Sequence, residues 1–208
     1  MKRDVMWVEP TGAEYAEVDV SDGRLTAVGS GIGGDPLPYR LRYDLVTDTD
    51  YVTGAGYVTS RLVIRASGLG WRRSLELTRL DDGGWTVSPW AEGDPGLPPP
   101  GGDPAELRGA LDIDIEGCPL TNTMPVLRHG LHRGLDPYGR TVDFDMVFVT
   151  VPQLTTRLVP QHYTPLDRNA DEATVRYASG SFQAEVTFDS AGFVLNYPGV
   201  GRRLEPTV

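Results

Sequence analysis

Hydrophobic and polar residues alternate with a period of two along much of this chain. The alternating stretches are 39–45, 61–65, 74–78, 111–116, 142–149, 175–177, 182–188 and 193–197. Such alternation is typical of β-strands that have one face in the core and the other in solvent. The pattern predicts about nine to eleven strands and no long helix.

A sheet built from many short consecutive strands is expected to be antiparallel. Its free edges would expose unpaired backbone groups, so the sheet must curl, close or stack on itself. We therefore expect an all-β fold with little helix, in which the sheet forms a roll or an incompletely closed antiparallel barrel.

Two segments depart from the strand pattern. In 103–110, Asp103 and Pro104 are typical of the cap and first position of a single helical turn. Residues 89–104 are unusually rich in proline and glycine. Both a linker between two domains and a long loop within one sheet have this composition. We expect the loop, which makes residues 1–208 a single domain.

The chain carries 29 acidic and 19 basic residues, a formal net charge of −10. This surplus of negative charge repels phosphate backbones, so we expect no nucleic-acid partner. The single cysteine excludes an intrachain disulfide, and no apolar run has the roughly 20 residues of a membrane helix. Without a recognisable export signal, the protein is expected to be cytoplasmic and not membrane-spanning.

All of the basic residues except Lys2 are arginines. Genomic base composition explains such a bias. Bidentate capture of carboxylate or phosphate groups by guanidinium groups explains it as well. The sequence leaves both explanations open.

The glycine-rich run at 29–34 satisfies the G-x-G-x-x-G pattern of dinucleotide-binding proteins. In those proteins the pattern opens a helix whose N-terminus meets the pyrophosphate. Here Pro36 and Pro38 follow at once, and Pro38 cannot continue a helix that begins at this point. We therefore predict a turn or loop rather than a nucleotide site.

Three carboxylates alternate with isoleucines at Asp112, Asp114 and Glu116. The spacing resembles the start of a calcium loop, but Thr123 occupies the position of the bidentate glutamate. A strand would place all three on one face, where they repel unless they are solvated or paired with arginine. We expect solvation or pairing, with a carboxylate cluster for a ligand or cation as the alternative.

Three histidines and one cysteine complete the candidate chemistry. His129, His132 and His162 could bind zinc, but Gly130 separates the first two, so we expect no metal site. The stretch 128–133 is a basic island in an acidic chain and is the best candidate for contact with an anion. Cys118 is interpreted as a small buried residue rather than a nucleophile.

An ordered set of motifs lies in the C-terminal half. The motifs are LDIDI at 111–115, CPLTNTMP at 118–125, VTVPQL at 149–154, PQHYTPL at 160–166 and DSAGFVLNYPG at 189–199. Together they resemble the signature of the bacterial putative glycolipid-binding family over roughly 109–204. Members often carry consecutive arginines after the threonine-asparagine-threonine run, whereas this chain has Arg128 followed by His129.

The resemblance implies a spiral β-roll that holds a lipid, glycolipid or similar amphipathic small molecule. Inward aliphatic and aromatic residues would hold the acyl part, and polar residues at the mouth would contact the head group. These predicted ligand-binding residues are Asn122, Thr123, Arg128, His129, Gln161 and Tyr163. Residues 121–123 also fit a purely structural turn.

Two other functions stay open at this point. A small acid–base enzyme, a hydrolase or isomerase, would use Asp112 and Asp114 with His129 or His162. A protein-interaction module would use an exposed sheet edge or the proline-rich loop. We favour the binding protein, and we assign no catalytic residue, metal ligand or cofactor.

Overall fold

The computed structural model describes residues 1–50, 52–133 and 139–205. Within these residues, fourteen strands form one sheet, accompanied by one short α-helix and three 3₁₀-helices. The strands are β1 (Lys2–Glu9), β2 (Gly12–Ser21), β3 (Arg24–Gly33), β4 (Tyr39–Asp48), β5 (Val58–Gly68), β6 (Trp71–Arg79), β7 (Trp85–Glu92), β8 (Asp112–Ile115), β9 (Val142–Val149), β10 (Thr156–Arg168), β11 (Glu172–Ser179), β12 (Phe182–Asp189), β13 (Val194–Tyr197) and β14 (Gly201–Arg203). The helices are α1 (Thr123–His129) and the 3₁₀-helices Pro104–Leu107, Pro119–Asn122 and Leu131–Arg133.

The sheet is a long antiparallel meander with one crossover. Strands are ordered β7-β6-β5-β4-β3-β2-β1-β14-β13-β12-β11-β10-β9-β8, and β8 runs parallel to β9. The chain builds β1 to β7 in one direction, crosses to the far edge at β8 and returns until β14 pairs with β1. Since β7 and β8 are not paired with each other, the predicted all-β, incompletely closed antiparallel roll is confirmed.

The inward faces of the strands share a hydrophobic core that runs through both halves of the sheet. At the seam, the fully buried Trp7 donates a hydrogen bond from Nε1 to the carbonyl oxygen of Val194, 2.9 Å away. The buried indole of β1 is therefore hydrogen-bonded to β13, the strand that precedes β14 in the chain. Among the described residues, no helix has the length and apolar character needed to cross a membrane.

The segment 89–104 differs in part from its prediction. Its first four residues complete β7, which is an edge strand. An edge strand tolerates Pro89 because a proline there need not donate to a second neighbour. At the other end of the segment, Asp103 Oδ1 accepts a hydrogen bond from the Ala105 amide at 2.8 Å and caps the helical turn as predicted.

The middle of this segment is attached to the rest of the sheet. The buried guanidinium group of Arg73 donates hydrogen bonds to the carbonyl oxygens of Leu97, Pro98 and Gln153. The Gly101 amide donates to Leu154, and the Gly101 carbonyl accepts from Thr156, both at 2.9 Å. The segment therefore bridges β6 and the start of β10.

The glycine-rich run at 29–34 is not a turn, which corrects our prediction. Residues 29–33 form the end of β3 and pair with β4. A Cβ atom added to Gly29 would lie 1.9 Å from the Tyr43 ring, and one added to Gly33 would lie 2.2 Å from Tyr39. The glycines are needed because cross-strand aromatic rings cover them, a packing that sequence periodicity does not reveal.

Replacing Gly29 with alanine is expected to lower the free energy of unfolding by about 1–3 kcal/mol, because the new methyl group overpacks the buried Tyr43 ring. Chemical denaturation measures this effect. Gly34→Ala is the matched control, since its Cβ would meet only Thr11 oxygen at 3.6 Å. Equal stability of the two variants would contradict the packing assigned to Gly29.

Candidate functional site

A cleft of about 310 Å³ opens in the C-terminal half of the sheet. We call it the tyrosine cleft. It is lined by residues 114–118, Asn122, Phe148, Arg157, Val159, Tyr177, Ser179, Phe182, Tyr197 and Val200. Its volume is at the lower end of the range for small-molecule sites, and it combines apolar walls with a few polar groups.

The floor of the cleft depends on a short helical region that the sequence did not predict. The 3₁₀-helix Pro119–Asn122 leads directly into α1, and Gly130 ends α1 in the left-handed conformation. Seven residues that include Pro125 give too weak a helical pattern to recognise. The predicted structural turn at 121–123 is therefore helical, and it carries Asn122 to the cleft.

Asp114 supplies the central carboxyl group of the cleft. It accepts a hydrogen bond from Thr121 Oγ1 at 2.9 Å and another from Gln161 Nε2 at 2.6 Å. Burial raises the pKa of Asp114 to about 6, although both hydrogen bonds favour the charged form. The group therefore changes its protonation state close to neutral pH, and each oxygen keeps capacity to accept another hydrogen bond.

Asn122 lies beside this carboxyl group and is oriented by two buried residues. Tyr163 donates to Asn122 Oδ1 at 2.8 Å, and Gln161 Oε1 lies 3.4 Å from the same tyrosine hydroxyl. Within the described residues, the Asn122 Nδ2 group makes a single long hydrogen bond, 3.5 Å, to the Pro119 carbonyl oxygen. An amide has two N–H donors, so one of them has no partner there and can donate to a ligand.

A row of aromatic rings ends at the cleft, where Tyr177 and Tyr197 form part of its lining. The ring centroids are 5.0 Å apart for His129 and Phe144, 5.3 Å for Phe144 and Tyr163, 5.4 Å for Tyr163 and Tyr177, and 5.6 Å for Tyr177 and Tyr197. Burial raises the pKa of both Tyr177 and Tyr197, so their hydroxyl groups stay protonated donors. On the opposite wall, Arg157 lies over the Phe148 ring at 4.8 Å.

The structure brings together three of the predicted ligand-binding residues. Asn122 lines the cleft, and Gln161 and Tyr163 lie behind it in one hydrogen-bonded network. Thr123 is fully buried outside the cleft lining, and its hydroxyl has no hydrogen-bond partner. His129 is exposed at the far end of the aromatic row.

Arg128 is buried in an ion pair with Asp112 rather than exposed at the mouth. Its Nη2 donates to Asp112 Oδ2, and the two side chains are only 5% and 1% exposed. Burial raises the pKa of Asp112 to about 6 against the opposing effect of Arg128. The expectation that the three carboxylates are solvated or paired with arginine holds for Asp112, whereas Asp114 is bonded to Thr121 and Gln161 instead.

Sequence reasoning predicted Tyr163 as a ligand-binding residue but missed Tyr177 and Tyr197. Tyr177 lies directly opposite Tyr163 in the β10–β11 pair, and Tyr197 comes from β13. Period-two alternation places each tyrosine on the inward face of its own strand. Only the strand pairing, which the sequence does not show, brings the tyrosines into one wall.

Two further candidates, Cys118 at the edge of the cleft and His162 outside it, pair with other residues. Cys118 is buried, and its thiol contacts the Glu14 carboxyl group, which accepts a hydrogen bond from Tyr43. Burial, followed by Glu14, raises the pKa of Cys118, so the thiol is not activated. His162 pairs with Asp143 on the surface at 2.6 Å. Within the described residues, no group of three or more His, Cys, Asp or Glu side chains is arranged to hold a metal ion.

Comparison with known proteins gives two results. A DUF1089 family protein from Pseudomonas aeruginosa, whose crystal structure was determined at 1.80 Å, superposes with a TM-score of 0.68. The two chains are 26% identical, and the likeness covers 95% of this chain and 94% of that one. No curated protein matches this chain.

The sequence itself matches a described protein family over nearly its full length. The match extends over residues 4–203, which includes all fourteen strands except the first two residues of β1. It therefore covers both the N-terminal half of the sheet and every residue that lines the tyrosine cleft. This chain belongs to the family described as putative glycolipid-binding.

Proposed function

We propose that the tyrosine cleft binds the uncharged, hydroxyl-rich head group of an amphipathic molecule such as a glycolipid. One observation carries the proposal: the Asp114 carboxyl group, the Asn122 amide and the rings of Tyr177 and Tyr197 line one cleft of about 310 Å³. Carboxylate and amide groups bind hydroxyls by accepting and donating hydrogen bonds. Aromatic rings provide an apolar surface with polar edges for the same ligand.

The charges around the cleft favour an uncharged head group over an anionic one. Two carboxyl groups, Asp114 and Glu116, line it beside a single guanidinium group, Arg157, and Glu116 adds by charge repulsion to the effect of burial, which raises the pKa of Asp114. A phosphate or carboxylate on the ligand would be repelled in the same way. A sugar gains hydrogen bonds without this cost, in keeping with the name of the family.

The size of the cleft accommodates the head group and leaves the acyl part outside. Inward residues of the first strands, among them Leu25, Leu45 and Leu62, are buried against one another. At the mouth of the cleft, Phe182 is 44% exposed and Val200 is half-buried. An alkyl chain leaving the cleft would cover these residues and gain roughly 25 cal/mol for each Å² of apolar surface buried.

Isothermal titration calorimetry with octyl β-D-glucoside below its micelle concentration tests the proposal. We expect the glucoside to bind more tightly than either glucose or octanoate, because only it engages both parts of the site. Val159→Trp fills the cleft and is expected to weaken binding at least about tenfold. Leu69→Trp, on a fully exposed turn, is the matched control. Equal binding by both variants, or no binding by wild type, would contradict the proposal.

Binding of the same glucoside is expected to strengthen by about fivefold as the pH rises from about 5 to about 7. The reason is that Asp114, with its pKa raised to about 6, becomes a charged and stronger hydrogen-bond acceptor over this interval. Asp114→Asn is expected to remove the pH dependence. A pH profile that is identical in the variant would exclude Asp114 as the ligand's acceptor.

A further inference from the structure

A second concavity lies on the outer face of the other half of the sheet. This arginine groove has a volume of about 510 Å³ and shares no residue with the tyrosine cleft. It is lined by Arg40, Arg42, Arg65, Ala66, Ser67, Arg72, Arg73, Ser74 and Trp90. Its concentration of arginine contrasts with the net charge of −10 of the whole chain.

Strand register explains how the arginines come together. Arg42 on β4 lies directly opposite Arg65 on β5. Ser67 on β5 lies between Arg40 on one side and Arg72 on the other. Neighbouring strands are about 4.8 Å apart, and alternate residues of one strand are about 6.7 Å apart. Four guanidinium groups therefore surround a space about one residue wide.

Three of these four arginines are not neutralised within the described part of the chain, and the fourth has one long ion pair. Arg40, Arg42 and Arg72 make no hydrogen bond or ion pair there, and Arg65 makes a single 3.5 Å contact with Asp44. Glu92 lies opposite Arg72 in the register, yet the two form no ion pair. Elsewhere on the same face, Arg61 pairs with Glu76 at 2.8 Å.

The fold does not require this arrangement. Like charges directly opposite each other in a sheet are destabilising, so the Arg42–Arg65 pair is unfavourable without a counter-ion. Protection of a sheet edge does not account for it, because edge charges belong on β7 and the arginines lie on β4, β5 and β6. An anion that occupies the groove would relieve the repulsion.

We propose that the arginine groove binds a phosphate group, either of a lipid head group or of a soluble organic phosphate. Guanidinium groups bind phosphate oxygens through paired, charge-assisted hydrogen bonds. Ser67 and Ser74 add hydroxyl donors between them. Trp90, 52% exposed and opposite Ser74 in the register, offers an indole N–H and an apolar face to the rest of the molecule.

The test uses two probes and the full chain. Inorganic pyrophosphate is titrated by calorimetry, and vesicles of phosphatidylcholine with or without phosphatidic acid are tested by co-sedimentation. Binding of pyrophosphate identifies a soluble phosphate as the ligand. Binding only to vesicles with phosphatidic acid identifies a lipid phosphate. Binding of neither probe would overturn the proposal, whatever the tyrosine cleft binds.

Variants that remove the same number of positive charges distinguish binding in the arginine groove from general electrostatic attraction between the probe and the protein. R42Q/R72Q is expected to weaken binding of the responsive probe at least about tenfold without loss of thermal stability, because neither arginine makes an ion pair within the described residues. R24Q/R202Q changes two other exposed arginines that make no ion pair there either. It is expected to bind like wild type. Equal weakening in both variants would overturn the proposal.

Discussion

Replacing Arg128 with methionine is expected to lower the free energy of unfolding by about 3–5 kcal/mol. The change leaves the Asp112 carboxyl group buried without its partner, and Asp112 Oδ1 already lacks a hydrogen bond within the described part of the chain. Because the uncompensated charge is the cause, the loss is expected to shrink as the pH falls to about 6 and below, where the carboxyl group is protonated with or without Arg128. Denaturation by urea at two pH values measures both effects.

Arg108→Met is the matched control for Arg128→Met. Arg108 also pairs with an aspartate, Asp82, but those side chains are 61% and 63% exposed. Loss of an exposed pair is expected to cost less than about 1 kcal/mol. The double variant R128M/D112N is expected to recover part of the stability lost in R128M. Similar losses in R128M and R108M would show that the buried pair has no special role.

The second large effect is a fall in the free energy of unfolding as the pH rises from about 5 to about 8. Burial raises the pKa of Glu14 from 4.5 to about 7, and burial with Glu14 as neighbour raises that of Glu9 to about 8. The native state therefore holds these protons more tightly than the unfolded chain does. The stability they add is complete below pH 4.5 and is lost as the pH passes the native pKa values.

Glu14→Gln isolates the contribution of the more deeply buried of the two carboxyl groups. The amide keeps an oxygen for the Tyr43 hydroxyl but cannot ionise, so the variant is expected to be about 2 kcal/mol more stable than wild type at pH 8. Its stability is expected to vary less with pH. Glu17→Gln, on the exposed face of the same strand, is the control and is expected to keep the wild-type profile. A steep profile in Glu14→Gln would rule out this carboxyl group as the source.

The sequence predicts the fold class well because the alternation is a local signal. Strands such as β4, β8 and β12 repeat apolar residues every second position, and the core takes those residues. Strands that the alternation did not predict have other constraints. The end of β3 needs glycine under Tyr39 and Tyr43, and β10 contains Pro160 and Pro165. Glycine and proline have low β-strand propensity, so neither sequence is expected to form a strand. Pairing with a neighbouring strand on each side outweighs this low propensity.

The site is less predictable because its parts come from distant positions. Asp114, Asn122, Tyr177 and Tyr197 meet only through the parallel β8–β9 pair and the order of β10 to β13. The motif resemblance identifies the family and the segments 111–125 and 160–166, but not which of their side chains point into the cleft. Arg128 illustrates this, since a basic residue expected at the mouth is buried against Asp112.

Chemical-shift mapping of the isotope-labelled protein with octyl β-D-glucoside tests most directly whether the tyrosine cleft is the ligand site. We predict that the largest changes fall on the Asn122 side-chain amide and on the backbone amides of 177–182, 197 and 199–201. We also predict that these changes disappear in Val159→Trp and persist in Leu69→Trp. Changes of equal size that are centred outside the cleft, or no saturable change, would contradict the proposed function.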